Sequence, residues 1–289
     1  MQIRPRRSVL YIPGSNQRAL EKAKSLSVDA LILDLEDAVA PDQKMQAREY
    51  VAAAANAGGY GRREIVIRIN ALSTVWGKED LKAAAWAQAD AVCLPKIETA
   101  AQIRSVADAL DALGAPPEMA IWAMLETPLG ILNAREIAGA HARIKVLVMG
   151  TSDLAKDLRV PHTPDRLGFI TSLGLSVLAA RAHGLDILDG VHLDLSGGDE
   201  FRAICQQGRT LGFDGKTLIH PNQIAAANAV FGPSAEAIDH AQRVIAIWEE
   251  AEKAGSGVAV LDGKLVENLH AAEARRLLAI AEAITELEK

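Results

Sequence analysis

The sequence has little cysteine and no excess of positive charge, and it lacks any long apolar run. Its two cysteines, Cys93 and Cys205, lie far apart without metal-binding spacing, so we interpret both as reduced core residues. The formal net charge of −6 disfavours nucleic acid and anionic membranes as partners. No apolar run reaches the length of a membrane span, and no signal-peptide pattern precedes the first predicted strand. These absences favour a soluble, cytoplasmic protein.

What the sequence does contain is a regular alternation of strands and helices. The chain has 289 residues, of which 49% are hydrophobic, so it can bury a large core. Its apolar runs are mostly continuous, which is typical of parallel strands covered on both faces. Eight such runs separated by helical stretches, with no obvious linker, favour a (β/α)8 TIM barrel over an open doubly wound sheet. The predicted strands are 8–13, 30–36, 64–70, 91–96, 120–125, 145–150, 185–194 and 216–220.

The C-terminal part of the chain exceeds what a barrel requires. Two long helical segments are predicted near 234–254 and 267–288, joined by a stretch that forms either a hairpin or a loop. We therefore predict a barrel domain of residues 1–232 and a C-terminal helical extension of residues 233–289. The extension is expected to act as an active-site lid or as a subunit-contact arm.

Charged residues follow most of the predicted strands. In a barrel of this type the C-terminal strand ends form one rim, and reactive groups project from it. The rim is therefore expected to combine several carboxylates with a few cations. The rim candidates are Glu36 and Asp37 after strand two, Arg68 near the end of strand three, Lys96 at the end of strand four, Glu126 after strand five, Asp153 after strand six, Asp194 at the end of strand seven and His220 at the end of strand eight.

Glu126 and Asp153 follow neighbouring strands, so their carboxylates are expected to approach each other. Two ionised carboxylates repel unless a cation lies between them. Oxygen ligands completed by water and substrate suit Mg²⁺, with Mn²⁺ as an alternative ion. The competing interpretation is that each acid caps the helix that follows it.

The cationic candidates are less specific than the acids. Arg68 lies inside an otherwise apolar strand and needs a partner, either a rim acid or a substrate carboxylate. For Lys96 a structural salt bridge is favoured over a Schiff base. A Pro-Gly turn opens a helix that carries Arg18 and Lys22, and such helix starts bind phosphate. The histidines His192, His220 and His270 show no triad pattern, and a core or loop role is expected for each.

Several motifs, taken together, resemble the HpcH/HpaI aldolase family in its citrate lyase beta-subunit-like branch. The resemblance covers roughly residues 7–225, in family order. It implies an Mg²⁺-dependent (β/α)8 barrel that forms a homo-trimer or homo-hexamer and acts on a CoA thioester. The motifs are RSVLYIPGSNQRALEKA, LILDLEDAVAP, VIRIN, LPKIE, LETPLGILNA, GTSDLA and GFDGKTLIHPNQI.

The resemblance also implies roles for individual residues. Glu126 and Asp153 would hold the metal, and Arg68 would bind the substrate's carboxylate or carbonyl oxygen. Glu36 and Asp37 would organise the water shell of the metal. Backbone N–H groups near Ser152 and Asp153 would offset oxyanion charge. The residues expected near CoA are Tyr11, Arg18, Lys22, Ile219 and His220.

The tail departs from the family pattern at one position. Lyases of this family carry an aspartate in the motif G-K-M-I-D for proton transfer, whereas this chain has DGKLVENLH, which places Glu267 there. Asp262 is the alternative acid if the register differs. A shift of about 1 Å in a reacting group can cost roughly a hundredfold in rate. Glu267 is therefore expected to activate water instead.

The tail and neighbouring motifs are most similar to family members that hydrolyse (3S)-malyl-CoA to malate and CoA. The alternative is C–C cleavage of malyl-CoA, methylmalyl-CoA or citramalyl-CoA to an acyl-CoA and glyoxylate or pyruvate. Two further interpretations are a subunit of a citrate lyase complex and an aldolase that does not use CoA. The tail and the segment PGSNQRALEK favour chemistry on free CoA thioesters.

Overall fold

A computed structural model describes residues 3–289, and its central feature is a closed barrel of eight parallel strands. The strands pair in chain order, and β8 closes the barrel against β1 in the register Ser8↔Lys216. The predicted (β/α)8 TIM barrel is confirmed. The strands are β1 (Ser8–Pro13), β2 (Ala30–Asp34), β3 (Glu64–Arg68), β4 (Ala91–Leu94), β5 (Ala120–Leu125), β6 (Ile144–Met149), β7 (Asp186–Asp189) and β8 (Gly215–Leu218).

The barrel strands are connected by helices, some of them preceded by short 3₁₀ turns. Two helices and a loop separate β6 from β7. The helices up to the end of the barrel are α1 (Gln17–Ala23), α2 (Lys44–Ala57), α3 (Gly77–Trp86), α4 (Ala100–Ala112), α5 (Pro128–Leu132), α6 (Ala134–Ala138), α7 (Thr151–Leu158), α8 (Ile170–Ala182), α9 (Asp199–Leu211) and α10 (Ile224–Phe231).

Alternation along the strands divides the apolar residues into two clusters. One cluster fills the barrel interior and includes Trp122 and Cys93, both fully buried. The other lies between the barrel and the helices and includes Cys205. Both cysteines are free and buried, as expected for reduced core residues. The continuous apolar runs in the sequence arise because every strand packs on both faces.

The predicted seventh strand was too long. β7 ends at Asp189, which pairs with Lys216, so Asp194 lies in the following loop and does not end a strand. The backbone carbonyls of His192 and Asp194 accept hydrogen bonds from the side-chain amide of Gln223 instead of from a neighbouring strand. Lys96 and His220 likewise lie two residues beyond the ends of β4 and β8.

The chain divides into two compact units. One is Arg6–Phe231, the barrel with its helices, and the other joins Gly232–Lys289 to the described N-terminal residues up to Pro5. The predicted domains 1–232 and 233–289 stay a prediction, and residues 1–2 lie outside the described residues. Between residues 3 and 289, no helix is both long and apolar enough to cross a membrane.

The second unit contains two long helices and a hairpin, which is one of the two forms expected for the connecting stretch. The hairpin strands are antiparallel, with Val266 opposite Ala259. Trp248 and Ala271 are among the residues that form a small apolar core of this unit. Its elements are α11 (Ala235–Lys253), β9 (Ala259–Leu261), β10 (Lys264–Val266) and α12 (Asn268–Leu287).

Candidate active site

The two acids expected to bind a metal do not cap the helices that follow them. Glu126 lies directly after β5, and α5 is capped by Thr127, whose hydroxyl accepts a hydrogen bond from Gly130 N at 3.1 Å. Asp153 lies in the first turn of α7, which begins after Gly150 without a side-chain cap. Both carboxylates are therefore available for another role at the rim.

Arg68 ends β3 and is held by carboxylates on β2 and in the loop after it. Its Nε and Nη2 donate to Asp34 at 2.6 and 2.7 Å, and Nη1 forms an ion pair with Glu36 at 2.9 Å. The guanidinium also lies over the ring of Tyr11, 4.7 Å from its centroid. Burial alone would lower the pKa of Arg68, but Asp34 raises it well above the usual value. Arg68 is therefore a fixed cation at the rim.

Glu126 is a buried carboxylate that packs closely against the end of β6. Its Oε1 accepts a hydrogen bond from the backbone N of Lys96 at 2.6 Å. Gly150 makes room for it, because a Cβ at that position would lie 2.5 Å from Oε2. Burial, followed by the charge of Glu36, raises the pKa of Glu126 to about 7. At neutral pH and without a bound metal ion, this carboxylate thus carries a proton part of the time.

Lys96 supplies a cation between two of the rim acids. Its Nζ lies 3.4 Å from Glu36 Oε1 and 3.5 Å from Asp153 Oδ2, which are the ion pairs expected for this side chain. Burial alone would lower the pKa of Lys96, but Glu36 and Asp153 raise it above the usual value. The backbone of Lys96 is in the left-handed region, with φ of 53°. This conformation is uncommon for a residue with a side chain and is often found at functional sites.

The donor set at the rim fits a hard divalent cation. Between residues 3 and 289, no group of three or more His, Cys, Asp or Glu side chains could hold a metal, so Glu126 and Asp153 would leave most coordination positions to water and substrate. Mg²⁺ is commonly bound in this way. Buried Glu36 Oε2 has no hydrogen-bond partner within the described part of the chain, although it lies in the ion pair with Arg68. This oxygen can therefore accept a hydrogen bond from a metal-bound water.

Three other residues were expected at or near the site, namely Asp37, Ser152 and Tyr11. Asp37 is exposed and lies 3.8 Å from Arg68 Nη1, and Ser152 is exposed in the first turn of α7. The Tyr11 hydroxyl contacts Met124 Sδ in the barrel interior, at 3.9 Å. The roles that the resemblance implies for these residues stay predictions.

Four of the five residues expected near CoA occupy two positions at the barrel surface. Arg18 and Lys22 are exposed on α1. Ile219 is 36% exposed, and His220 begins the 3₁₀ turn after β8, where its Nδ1 accepts a hydrogen bond from Asn222 N at 3.2 Å. Contact of these residues with CoA stays a prediction.

Glu267 belongs to the second compact unit, where it precedes α12 as its N-cap residue. Its backbone N donates a hydrogen bond to His270 Nδ1 at 2.9 Å. His270 lies in the first turn of α12 and has a local capping role there, so the core or loop role expected for it was wrong. The alternative acid, Asp262, forms an exposed ion pair with Arg243.

Sequence reasoning missed three buried polar residues that organise the site. Asp34 is fully buried and binds Arg68, and Lys44 Nζ donates to the carbonyls of Leu35 and Glu36 and to Asn70 Oδ1. Burial lowers the pKa of Lys44. A signal for Asp34 was present, because an ionisable residue inside the run LILDL needs a buried partner. For Lys44 and Asn70 the sequence offered no comparable signal.

Comparisons with known proteins agree with the fold and with the family resemblance. The sequence model of the HpcH/HpaI aldolase/citrate lyase family matches residues 7–221. A (3S)-malyl-CoA thioesterase of Cereibacter sphaeroides is 53% identical over 98% of this chain and 97% of its own length. The citrate lyase subunit beta of Escherichia coli K12 is 35% identical over 96% of this chain and 94% of its own length.

A solved structure of a related protein also has this fold. The protein CitE from Mycobacterium tuberculosis, crystallised with magnesium, acetoacetate and coenzyme A, superimposes with a TM-score of 0.78. It is 30% identical to this chain, and the match covers 98% of this chain and 100% of that one. The fold and the sequence therefore point to the same set of relatives.

Proposed function

Because the chain belongs to the HpcH/HpaI aldolase/citrate lyase family, we propose that it hydrolyses (3S)-malyl-CoA to malate and CoA with a bound divalent cation. The observation that carries this proposal is the near-full-length similarity to a thioesterase of that specificity. The alternative is C–C cleavage of malyl-CoA or a related thioester. Its support is weaker, because the similarity to citrate lyase beta subunits is more distant.

Glu126 and Asp153 would hold the cation, Mg²⁺ or alternatively Mn²⁺. When bound, the ion would supply Lewis acidity toward a substrate oxygen. Glu36 and Asp153 already share the Lys96 ammonium, and burial together with the charges of Glu36 and Asp153 raises the pKa of Glu126. A further cation among these carboxylates would be stabilised, which supports this assignment. Glu36, together with Asp37, would orient water at the site.

Arg68 would bind the carboxylate of the malyl group. Asp34 binds Nε and Nη2 of the guanidinium but not Nη1. Nη1 faces Glu36 and Asp37 on the rim side. Because Asp34 fixes the orientation of the guanidinium, little side-chain freedom is lost when a substrate carboxylate binds.

Arg18 and Lys22 would pair with phosphate groups of CoA, since both are exposed cations on the first barrel helix. Ile219 and His220, after β8, would border the same thioester, and Tyr11 would support the site from beneath Arg68. Loss of affinity for CoA in Arg18→Ala and Lys22→Ala variants would support this assignment.

Glu267 would accept a proton from water as the water oxygen attacks the thioester carbon. Backbone N–H groups of Ser152 and Asp153, in the first turn of α7, have no acceptor within the helix and would donate to the carbonyl oxygen. The C–S bond then breaks, the CoA sulfur takes up the proton, and malate leaves. The motif position of Glu267 supports this role.

The experiment is a product assay. Purified protein is incubated with (3S)-malyl-CoA in Mg²⁺ or in EDTA, and free thiol, malate, acetyl-CoA and glyoxylate are measured together. Malate and free CoA formed only with Mg²⁺ are expected. Acetyl-CoA and glyoxylate would instead establish the lyase, and equal turnover in EDTA would refute the metal assignment.

We also propose that the protein is a homo-trimer or homo-hexamer in the cytoplasm, as the family resemblance implies. Light scattering after size-exclusion chromatography gives the subunit number directly. A monomer at micromolar concentration would contradict the proposal.

A further inference from the structure

A cavity lies beside the candidate active site, on the β6 and β7 side of the rim. Thr151, at the start of α7, and His192, in the loop after β7, line it together with Arg166 and Glu200. The apolar side chains of Phe169 and Ile204 form another part of its wall. Its volume is about 490 Å³ when the solvent at its mouth is included. None of these residues has a role in the proposed hydrolysis.

Arg166 is the main reason to regard this cavity as a binding site. The residue is only 6% exposed, and most of its guanidinium is engaged. Nε donates to Gln207 Oε1 at 2.6 Å, and Nη1 donates to both oxygens of Asp189 at 2.7 and 2.8 Å. Nη2 is buried and has no hydrogen-bond partner among the residues that the structure describes. A buried charged donor without an acceptor is costly, so an acceptor is expected there.

The charges behind the cavity do not balance. Asp189 is fully buried and is shared between Arg166 and the fully buried Lys216, whose Nζ lies 3.0 Å away. Two cations therefore face one carboxylate, which leaves a surplus of one positive charge. Glu200 lines the cavity but is exposed at the start of α9, so water weakens its charge and it offsets this surplus only in part.

His192 provides a second polar atom in the same wall. Its Nε2 is buried and, within residues 3–289, has no hydrogen-bond partner. Burial, followed by the charge of Lys216, lowers the pKa of His192, so the imidazole is neutral at pH 7. In the tautomer with the proton on Nε2, it offers a second donor and adds no further charge.

We propose that this cavity binds a small carboxylate monoanion. Its oxygens would accept hydrogen bonds from Arg166 Nη2 and His192 Nε2, and its hydrocarbon part would contact Phe169 and Ile204. The single surplus charge favours a monoanion over a phosphate dianion, and the apolar wall favours a carboxylate over a small inorganic anion. The proposal goes beyond the hydrolysis proposed above and does not depend on it.

Ile204 lines the cavity, so the NMR signal of its δ1 methyl group can report binding there. We would label isoleucine δ1 methyls with ¹³C in the full-length protein and identify the Ile204 signal with an Ile204→Val variant. Sodium acetate is then titrated in EDTA at constant ionic strength, with sodium chloride as the reference anion. A saturable shift of the Ile204 methyl with acetate, but not with chloride, is expected.

Paired variants separate this site from any effect of overall charge. Arg166→Gln should raise the acetate midpoint tenfold or more, whereas Arg202→Gln, the same change at an exposed position of α9, should leave it unchanged. Glu200→Gln should lower the midpoint severalfold, and Asp199→Asn should not. The second pair keeps the test decisive even if Arg166→Gln does not fold.

Three results would overturn the proposal. The first is the absence of a saturable Ile204 shift up to molar acetate. The second is a midpoint that does not respond to Glu200→Gln. The third is inorganic phosphate acting at a tenfold lower concentration than acetate, which would refute the carboxylate class.

Discussion

Asp34 should be the residue on which the candidate site depends most, although it has no direct contact with solvent. It is fully buried, binds Arg68 through two hydrogen bonds, and accepts further bonds from the backbone N atoms of Glu36 and Ala38 at 2.9 and 3.1 Å. We predict that Asp34→Asn both destabilises the protein and reduces turnover, because the amide keeps the shape but removes the negative charge opposite Arg68.

The expected loss of stability follows from the burial of the ion pair between Asp34 and Arg68. Breaking a buried ion pair by removing one partner costs about 3–5 kcal/mol, since the remaining charge is left uncompensated. Glu36 still faces Arg68, so the lower part of this range is expected. For a chain of this size, 1 kcal/mol shifts the melting temperature by roughly 2 °C. The variant should therefore melt about 6 °C below wild type in a circular dichroism scan.

The pair between Arg143 and Asp111 is a matched control. It has the same residue types, but the Asp111 side chain is 57% exposed. Asp111→Asn should therefore cost at most about 1 kcal/mol. The double variant Asp34→Leu with Arg68→Met should recover much of the lost stability without recovering activity. If Asp34→Asn melted like wild type, or no lower than Asp111→Asn, the argument from burial would be refuted.

Three further changes probe the site from other directions. Gly150→Ala places a methyl group against Glu126 and should weaken Mn²⁺ binding about tenfold in a titration, while Gly174→Ala, which has open space, should not; equal binding would contradict the packing argument. Lys96→Met removes the ammonium between the rim acids and should tighten Mn²⁺ binding severalfold, so an unchanged affinity would show that Lys96 does not compete with the metal. Glu267→Gln should lower hydrolysis by roughly 10²–10⁴-fold, as expected for a general base, and leave Mn²⁺ binding unchanged; wild-type turnover would exclude this role.

Much of the architecture was predictable from the sequence because the barrel repeats one local pattern. Continuous apolar runs of about the right length identified the strands, and β1 and β5 lie where they were predicted. β7 was extended too far because the run LDILDGVHLD continues beyond Asp189 with the apolar residues Val191 and Leu193. Its end depends on Gln223, which binds the loop carbonyls from a distant part of the chain.

For the site, the sequence by itself determined which chemical groups reach the rim. Glu126, Asp153 and Arg68 follow or end strands, and parallel strands in a barrel all end on one side. Only the tertiary structure decided how these groups are paired. Closure of the barrel brings Asp34 beneath Arg68 and Lys96 between Glu36 and Asp153. Such contacts join residues distant in sequence, and their energies depend on burial and on distances of a few ångströms, which no local pattern of residues encodes.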